Sequence, residues 1–198
     1  MTVAGLLLAA GAGRRMGGPK ALVEVAGEPL VRRGIRLLSA GGCDPVVVVV
    51  GASADAVRPL CHGAEVVEAP GLERGMSASL RAGLLALSGD SHEASDACVV
   101  ALVDQPLVTP VVVERLRAAH TGGARAAVAT YGGRPRNPVL LDRSTWAGVA
   151  ATAGGDEGAR SWLRTHPELV VQVDCTDVGA PDDLDTPADL AALREAIA

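Results

Sequence analysis

The chain has 198 residues, which suits one domain spanning 1–198 around a single sizeable core. Apolar residues make up 48% of it and aromatics only 2%, so short strands and small-faced helices of an α/β fold are expected. A net charge of −5 argues against a general nucleic-acid or membrane-surface partner, and no apolar run reaches transmembrane length.

The N-terminus lacks a basic region ahead of its apolar run, so Met1 to Leu8 reads as a strand rather than a signal peptide. The strand breaks into Ala9-Ala10-Gly11-Ala12-Gly13-Arg14-Arg15-Met16-Gly17-Gly18-Pro19-Lys20. Glycine lets backbone approach a ligand closely, and successive N–H groups form anion-binding concavities. With Arg14, Arg15 and Lys20 added, the loop is built to hold a polyphosphate. It is not a P-loop, because Pro19 follows Gly18. Nor is it the dinucleotide fingerprint, because Met16 stands where the third glycine belongs. An ordinary Gly-rich strand-to-helix turn stays open on these residues alone.

A helix follows, with Pro29 suited to its first turn and Gly41-Gly42 ending it. Val46 to Val50 reads as a central parallel strand, a short helix covers Ala54 to Leu60, and Glu65 to Ala69 is the next strand. The βαβαβ order predicts right-handed crossovers and a mostly parallel sheet, with ligands beyond the carboxyl ends of the strands. Gly71 to Leu84 is a loop entering a helix, with Ser77 as expected N-cap. The helix-start N–H groups and the hydroxyls of Ser77 and Ser79 are placed for a base or an anion. Gly89 to Asp96 reads as a polar surface loop.

Cys98 to Val103 is a further apolar strand, ending in Asp104-Gln105-Pro106. A carboxylate there suits Mg²⁺, which favours one or two carboxylates plus substrate phosphates; an Asx turn is the plainer alternative. A helix starts at Thr109-Pro110. Strands are expected over Ala126 to Thr130 and Pro138 to Leu141, joined through residues 131–137, and again over Leu169 to Val173. Trp146 and Trp162 read as packing at the edge of the core. Thr186, Pro187 and Asp189 form a capping-box-like helix start, and Asp183 and Asp185 share one side of the extended segment before it. The four cysteines show no CxxC pairing and suggest neither zinc nor a disulfide framework, which fits a reducing cytoplasm.

The first loop resembles the signature of nucleotidyltransferases with a GT-A-like fold, most of all the branch that attaches nucleotides to the molybdenum cofactor. Gly75-Met76-Ser77, Val103-Asp104-Gln105-Pro106, Gly155-Asp156-Glu157-Gly158-Ala159-Arg160 and Asp183 to Asp189 resemble its later motifs in the same order. The resemblance implies a three-layer α/β sandwich that moves a nucleotidyl group from an NTP to a phosphorylated acceptor such as the molybdenum cofactor. It implies nucleotide contacts from Leu8, Ala9, Ala10, Gly11, Gly13, Arg15, Met16, Lys20, Gly75, Met76, Ser77 and Ser79. Arg15, Lys20 and Asp104 would be catalytic, and Mg²⁺ would sit on Asp104 and Asp185. Ala10, where the guanylyl branch more often has glycine, favours CTP over GTP. Arg136-Asn137 replaces the family's Gly-His, which bears on the acceptor. A binding or chaperone module serving a client molybdoenzyme is the non-catalytic alternative.

Overall fold

The computed structural model describes residues 1–51, 53–69, 75–92 and 94–196. Gly71 to Arg74 of the second motif, and Ala52 in the turn after Val50, lie outside the described residues. The strands are β1 (Thr2–Leu8), β2 (Glu24–Val25), β3 (Glu28–Pro29), β4 (Val46–Val50), β5 (Glu65–Glu68), β6 (Ser95–Leu102), β7 (Ala126–Tyr131), β8 (Arg134–Asp142) and β9 (Val170–Asp174). The helices are α1 (Leu30–Ala40), α2 (Ala54–Val57), α3 (Gly75–Leu87), α4 (Pro110–Thr121), α5 (Trp146–Thr152), α6 (Arg160–Thr165) and α7 (Pro187–Ala196).

A seven-stranded sheet runs in the order β5-β4-β1-β6-β8-β7-β9, and β2 and β3 form a separate small hairpin. β8 alone runs against the others, pairing antiparallel with both β6 and β7. The rest is parallel, as the βαβαβ order predicts. Alternation along each strand feeds two cores. Val3 and Leu7 of β1, with Val46, Val48 and Val50 of β4, face α1, α2, α4 and α7. Ala4, Leu6 and Leu8, with Val47 and Val49, face α3, α5 and α6. The five consecutive valines are thus all buried because both faces of their strand are covered. Trp146 and Trp162 are buried in the second core, as expected. On that face Gly83 lets α3 lie directly on the sheet, since a Cβ there would come within 2.3 Å of Leu6 Cδ1.

Local readings differ from the structure in four places. Ser77 does not cap α3: the helix begins at Gly75 and encloses Ser77 in its first turn. The β7–β8 junction is only Gly132-Gly133, both with positive φ, so Arg134 to Asn137 belong to β8. A two-residue hairpin turn needs no longer loop. His92, expected on a surface loop, is buried, and its Nε2 lies 2.8 Å from Glu65 Oε2. Pro29 precedes α1 rather than opening it, because it pairs with Glu24 in the hairpin.

At the C-terminal end of β8, Asp142 ties His120 of α4 to the sheet, with His120 Nε2 3.0 Å from Asp142 Oδ2. Burial raises the Asp142 pKa, but bonds from Ser144 and His120 outweigh it and the net direction is downward. A depressed carboxylate contributes stability above its unfolded value of about 3.9 and loses it as pH falls through the lower folded value. The urea midpoint is therefore expected to drop below about pH 4. Asp142→Asn is expected to lower stability at pH 7 by about 1–3 kcal/mol and to flatten this acid limb; urea melts at pH 7 and pH 3 check both.

Candidate active site

The site lies where the sheet changes winding direction. From β1 the chain winds through β4 to β5, then crosses back to β6 on the other side of β1. Loops leaving β1 and β6 diverge there and open a crevice at their carboxyl ends. Leu8 pairs with Leu102, and Val103 N–H donates to Leu8 O at 3.2 Å, so the glycine-rich loop and Asp104 emerge side by side.

The loop turns on Gly13. With φ at 56°, Gly13 precedes a short 3-10 turn over Arg14–Met16, and a Cβ there would meet Gly18 O at 1.9 Å. Met16 N–H and Gly18 N–H both donate to Gly13 O, at 2.8 and 3.3 Å. Among the described residues no protein acceptor takes the N–H groups of Ala10, Gly11, Ala12 or Gly13. A second 3-10 turn, Lys20–Leu22, is anchored by fully buried Ala21 and sets Lys20 at the mouth of the crevice.

The C-terminal segment closes the crevice from the other side. Leu184 N–H donates to Asp104 O at 2.9 Å and Ala180 N–H to Leu107 O at 3.3 Å. Gln105 Nε2 donates to Asp183 Oδ1 at 2.9 Å and to Pro181 O at 3.2 Å. The capping box holds as expected: Thr186 N–H donates to Asp189 Oδ2 at 2.7 Å, and Asp189 N–H to Thr186 Oγ1 at 3.2 Å. Asp185, one residue before that cap, is thereby aimed into the crevice.

Lys20 Nζ donates to Asp104 Oδ2 at 2.7 Å and to Asp185 Oδ1 at 2.6 Å. Arg15 stands farther out, 3.9 Å from Asp185 Oδ2 and largely exposed. Partial burial alone would lower the Lys20 pKa; the two carboxylates outweigh it and raise it. The ammonium is therefore charged at neutral pH. Burial, then the charges of Asp104 and Asp185, raises the Asp183 pKa against the Gln105 bond. Two carboxylate oxygens already converge on one cationic atom. Such hard oxygen donors fit a magnesium-like ion that takes its remaining ligands from water and phosphate.

Beside this cluster lies a cavity of about 780 Å³. Leu8, Val100 and Val128 contribute to its sheet side, Met76 and Leu80 come from α3, and Gln105 and Asp183 stand on the side toward Asp104. Arg136, Asn137 and Arg160 line it as well, so the second-strand and Gly155–Arg160 motifs share one space with Leu8 and Met76. The start of α3 is docked on that motif: Met76 N–H donates to Asp156 Oδ1 at 3.1 Å, and Ser77 N–H to Gly155 O at 3.0 Å. Those two N–H groups, expected to face a base or an anion, are thus already bonded within the protein. Ala9, Ser77 and Ser79 are buried, and Ser77 Oγ has no partner among the described residues, whereas Gly11 is exposed.

The structure thus brings Arg15, Lys20, Asp104 and Asp185 together, and places Leu8 and Met76 on the adjoining cavity. Gln105 was not singled out from the sequence; its signal was its place beside Asp104 at the end of β6. Arg164, also on the cavity, lies one helical turn beyond Arg160, a spacing that marks a shared face.

A glycine-rich loop, one lysine and two aspartates at the winding switch of a mostly parallel sheet define an α/β protein with the build of a nucleotidyltransferase. The description MobA-like NTP transferase domain matches residues 5–170, and the chain belongs to that family. It is 39% identical to nicotine blue oxidoreductase of Paenarthrobacter nicotinovorans, over 93% of this chain and 92% of that one. It is 32% identical to molybdenum cofactor guanylyltransferase of Rhodobacter capsulatus, over 98% and 96%. Rv0371c of Mycobacterium tuberculosis H37Rv superposes with a TM-score of 0.84 at 28% identity, covering 98% of each chain. A manganese complex of Rv0371c superposes with a TM-score of 0.79 at 26% identity, over 98% and 99%. Among the described residues no helix is long and apolar enough to cross a membrane.

Proposed function

We propose that the chain transfers a nucleotidyl group from CTP to a phosphorylated acceptor, the molybdenum cofactor, with release of pyrophosphate. The observation that carries this reading is Lys20 held between Asp104 and Asp185 beside an open glycine-rich loop. Asp104 and Asp185 would hold Mg²⁺, which when bound neutralises phosphate charge. Asp185 fits better than Asp183, which already accepts from Gln105. The N–H groups of Ala10 to Gly13, unpaired among the described residues, and the exposed Arg15 would bind the β- and γ-phosphates. Lys20 would offset charge growing on the α-phosphoryl oxygens. An acceptor phosphate oxygen attacks the α-phosphorus, the bond to the bridging oxygen breaks, and pyrophosphate leaves. No protein nucleophile is needed, because the acceptor is already ionised; alignment and charge neutralisation supply the catalysis. Met76 and Leu8, lining the cavity, would set the nucleotide against the acceptor.

Ala10 supports CTP, while the Rhodobacter relative named for guanylyl transfer supports GTP. A matrix of the four NTPs against molybdenum cofactor and simpler phosphorylated acceptors, read by pyrophosphate release, decides. CTP with molybdenum cofactor is expected to give the highest rate. Equal or better use of GTP would refute the cytidylyl assignment while leaving nucleotidyl transfer in place.

A second reading follows from the 39% identity to a relative named as an oxidoreductase. It uses the same loop to hold a nicotinamide dinucleotide's phosphates and the partly apolar cavity to hold a substrate that accepts its hydride. NADH or NADPH consumed in the presence of an added hydride acceptor, without pyrophosphate release in any NTP arm, would favour it.

A further inference from the structure

Lys20 is the only lysine in the chain; every other permanently cationic side chain is arginine. That one ammonium sits within 2.7 Å of Asp104 and 2.6 Å of Asp185, on the two oxygens best placed to share a metal ion. An ammonium is a compact point charge on a flexible stem, whereas a guanidinium locks onto a carboxylate as a planar fork. A cation that must occupy this seat and then leave it is better made from lysine.

We propose that Lys20 is a built-in surrogate for the divalent cation: in the nucleotide-free protein its ammonium fills the seat between Asp104 and Asp185, and a metal ion enters by exchanging with it. This rests on the reading of those two aspartates as metal ligands.

Three features favour exchange over simple competition. The Lys20 backbone is fixed: Ala21 is fully buried, and Val23 N–H donates to Lys20 O at 3.0 Å. Only the four-carbon stem has to move. The glycine-rich loop begins beside Asp104 and leads directly into Lys20, so phosphates bound on it offer Nζ a new anionic partner. Arg15 already stands 3.9 Å from the outer oxygen of Asp185 and shares that phosphate-facing side. Metal and nucleotide therefore bind with positive coupling: the ion displaces Nζ, and the phosphates receive it. By linkage each tightens the other to the same degree. The device also delivers Lys20 to the α-phosphate only when the ion is present.

The test uses Mn²⁺ as the probe, its free concentration read by electron paramagnetic resonance, with no nucleotide present. Lys20→Met is expected to bind Mn²⁺ more tightly than wild type by about tenfold or more, while Lys20→Arg, which keeps a charge in place, is not. Added CTP is expected to strengthen Mn²⁺ binding more in wild type than in Lys20→Met. Lys20→Met binding no tighter than wild type would overturn the exchange. Mn²⁺ binding left unchanged by Asp104→Asn would overturn the metal site and the exchange together. Wild-type protein gives an independent measurement, because isotope-labelled lysine yields one side-chain amine signal by nuclear magnetic resonance. That signal is expected to move when Mg²⁺ and CTP are added together, and to move much less in Asp104→Asn. A signal that stays in place while Mg²⁺ and CTP bind would overturn the proposal.

Discussion

Asp104→Asn is expected to lower nucleotidyl transfer with Mg²⁺ by about 10²–10³-fold or more and to leave the chain folded. The substitution keeps the shape of the side chain and removes the charge that would hold the ion. It spares the local fold, because the bonds that position this segment are main-chain bonds. Val103 N–H still donates to Leu8 O, and Leu184 N–H still donates to Asp104 O. Lys20 keeps its 2.6 Å bond to Asp185. The stability change should therefore stay near about 1 kcal/mol, the scale of a partly exposed ion pair. Pyrophosphate release measured beside a thermal melt separates the two effects. Normal turnover in the variant would remove Asp104 from the reaction.

Lys20→Met is expected to lower turnover by a similar factor, about 10²–10³-fold, for a different reason. It removes a charge that would face the reacting phosphoryl group, whereas Asp104→Asn removes one that would seat the ion. The KM for the NTP should change less than kcat, because the loop N–H groups and Arg15 remain. The thermal response should also differ. Without the ammonium, Asp104 and Asp185 face each other unneutralised, so the variant melts lower and a divalent cation that binds the folded state restores it. Asp104→Asn should show no such rescue. A Lys20→Met protein with wild-type kcat would mean that Lys20 is only an ion-pair partner.

The parts of this site that the sequence made legible are those whose signal is local. An apolar run breaking into glycines and cations marks the first loop. A carboxylate at the end of a buried strand marks Asp104. Thr186, Pro187 and Asp189 announce a helix start by side-chain chemistry alone. What stayed hidden depends on partners far away in the chain. Lys20 meets Asp185 across 165 positions, and no spacing rule links them. Ser77 has the composition of an N-cap, yet Asp156 and Gly155 hold the start of α3 from 80 and 78 positions away, so the local signal lost to a tertiary one. The reversed direction of β8 follows from the tight Gly132-Gly133 turn, while its prolines and arginines read as loop. His92 looked like surface because its neighbours are polar; Glu65 on β5 is what draws it inward.

On the proposed function, Asp104 and Asp185 seat a divalent cation against nucleotide phosphates held by the first loop. Crystals grown with CTP and Mn²⁺ test this directly, through an anomalous difference map at the manganese edge. One peak is expected within coordination distance of both aspartates, with the triphosphate along residues 11–20 and Lys20 Nζ turned from the carboxylates to the phosphates. An ordered CTP with the manganese peak elsewhere, and Lys20 still bonded to both aspartates, would contradict it.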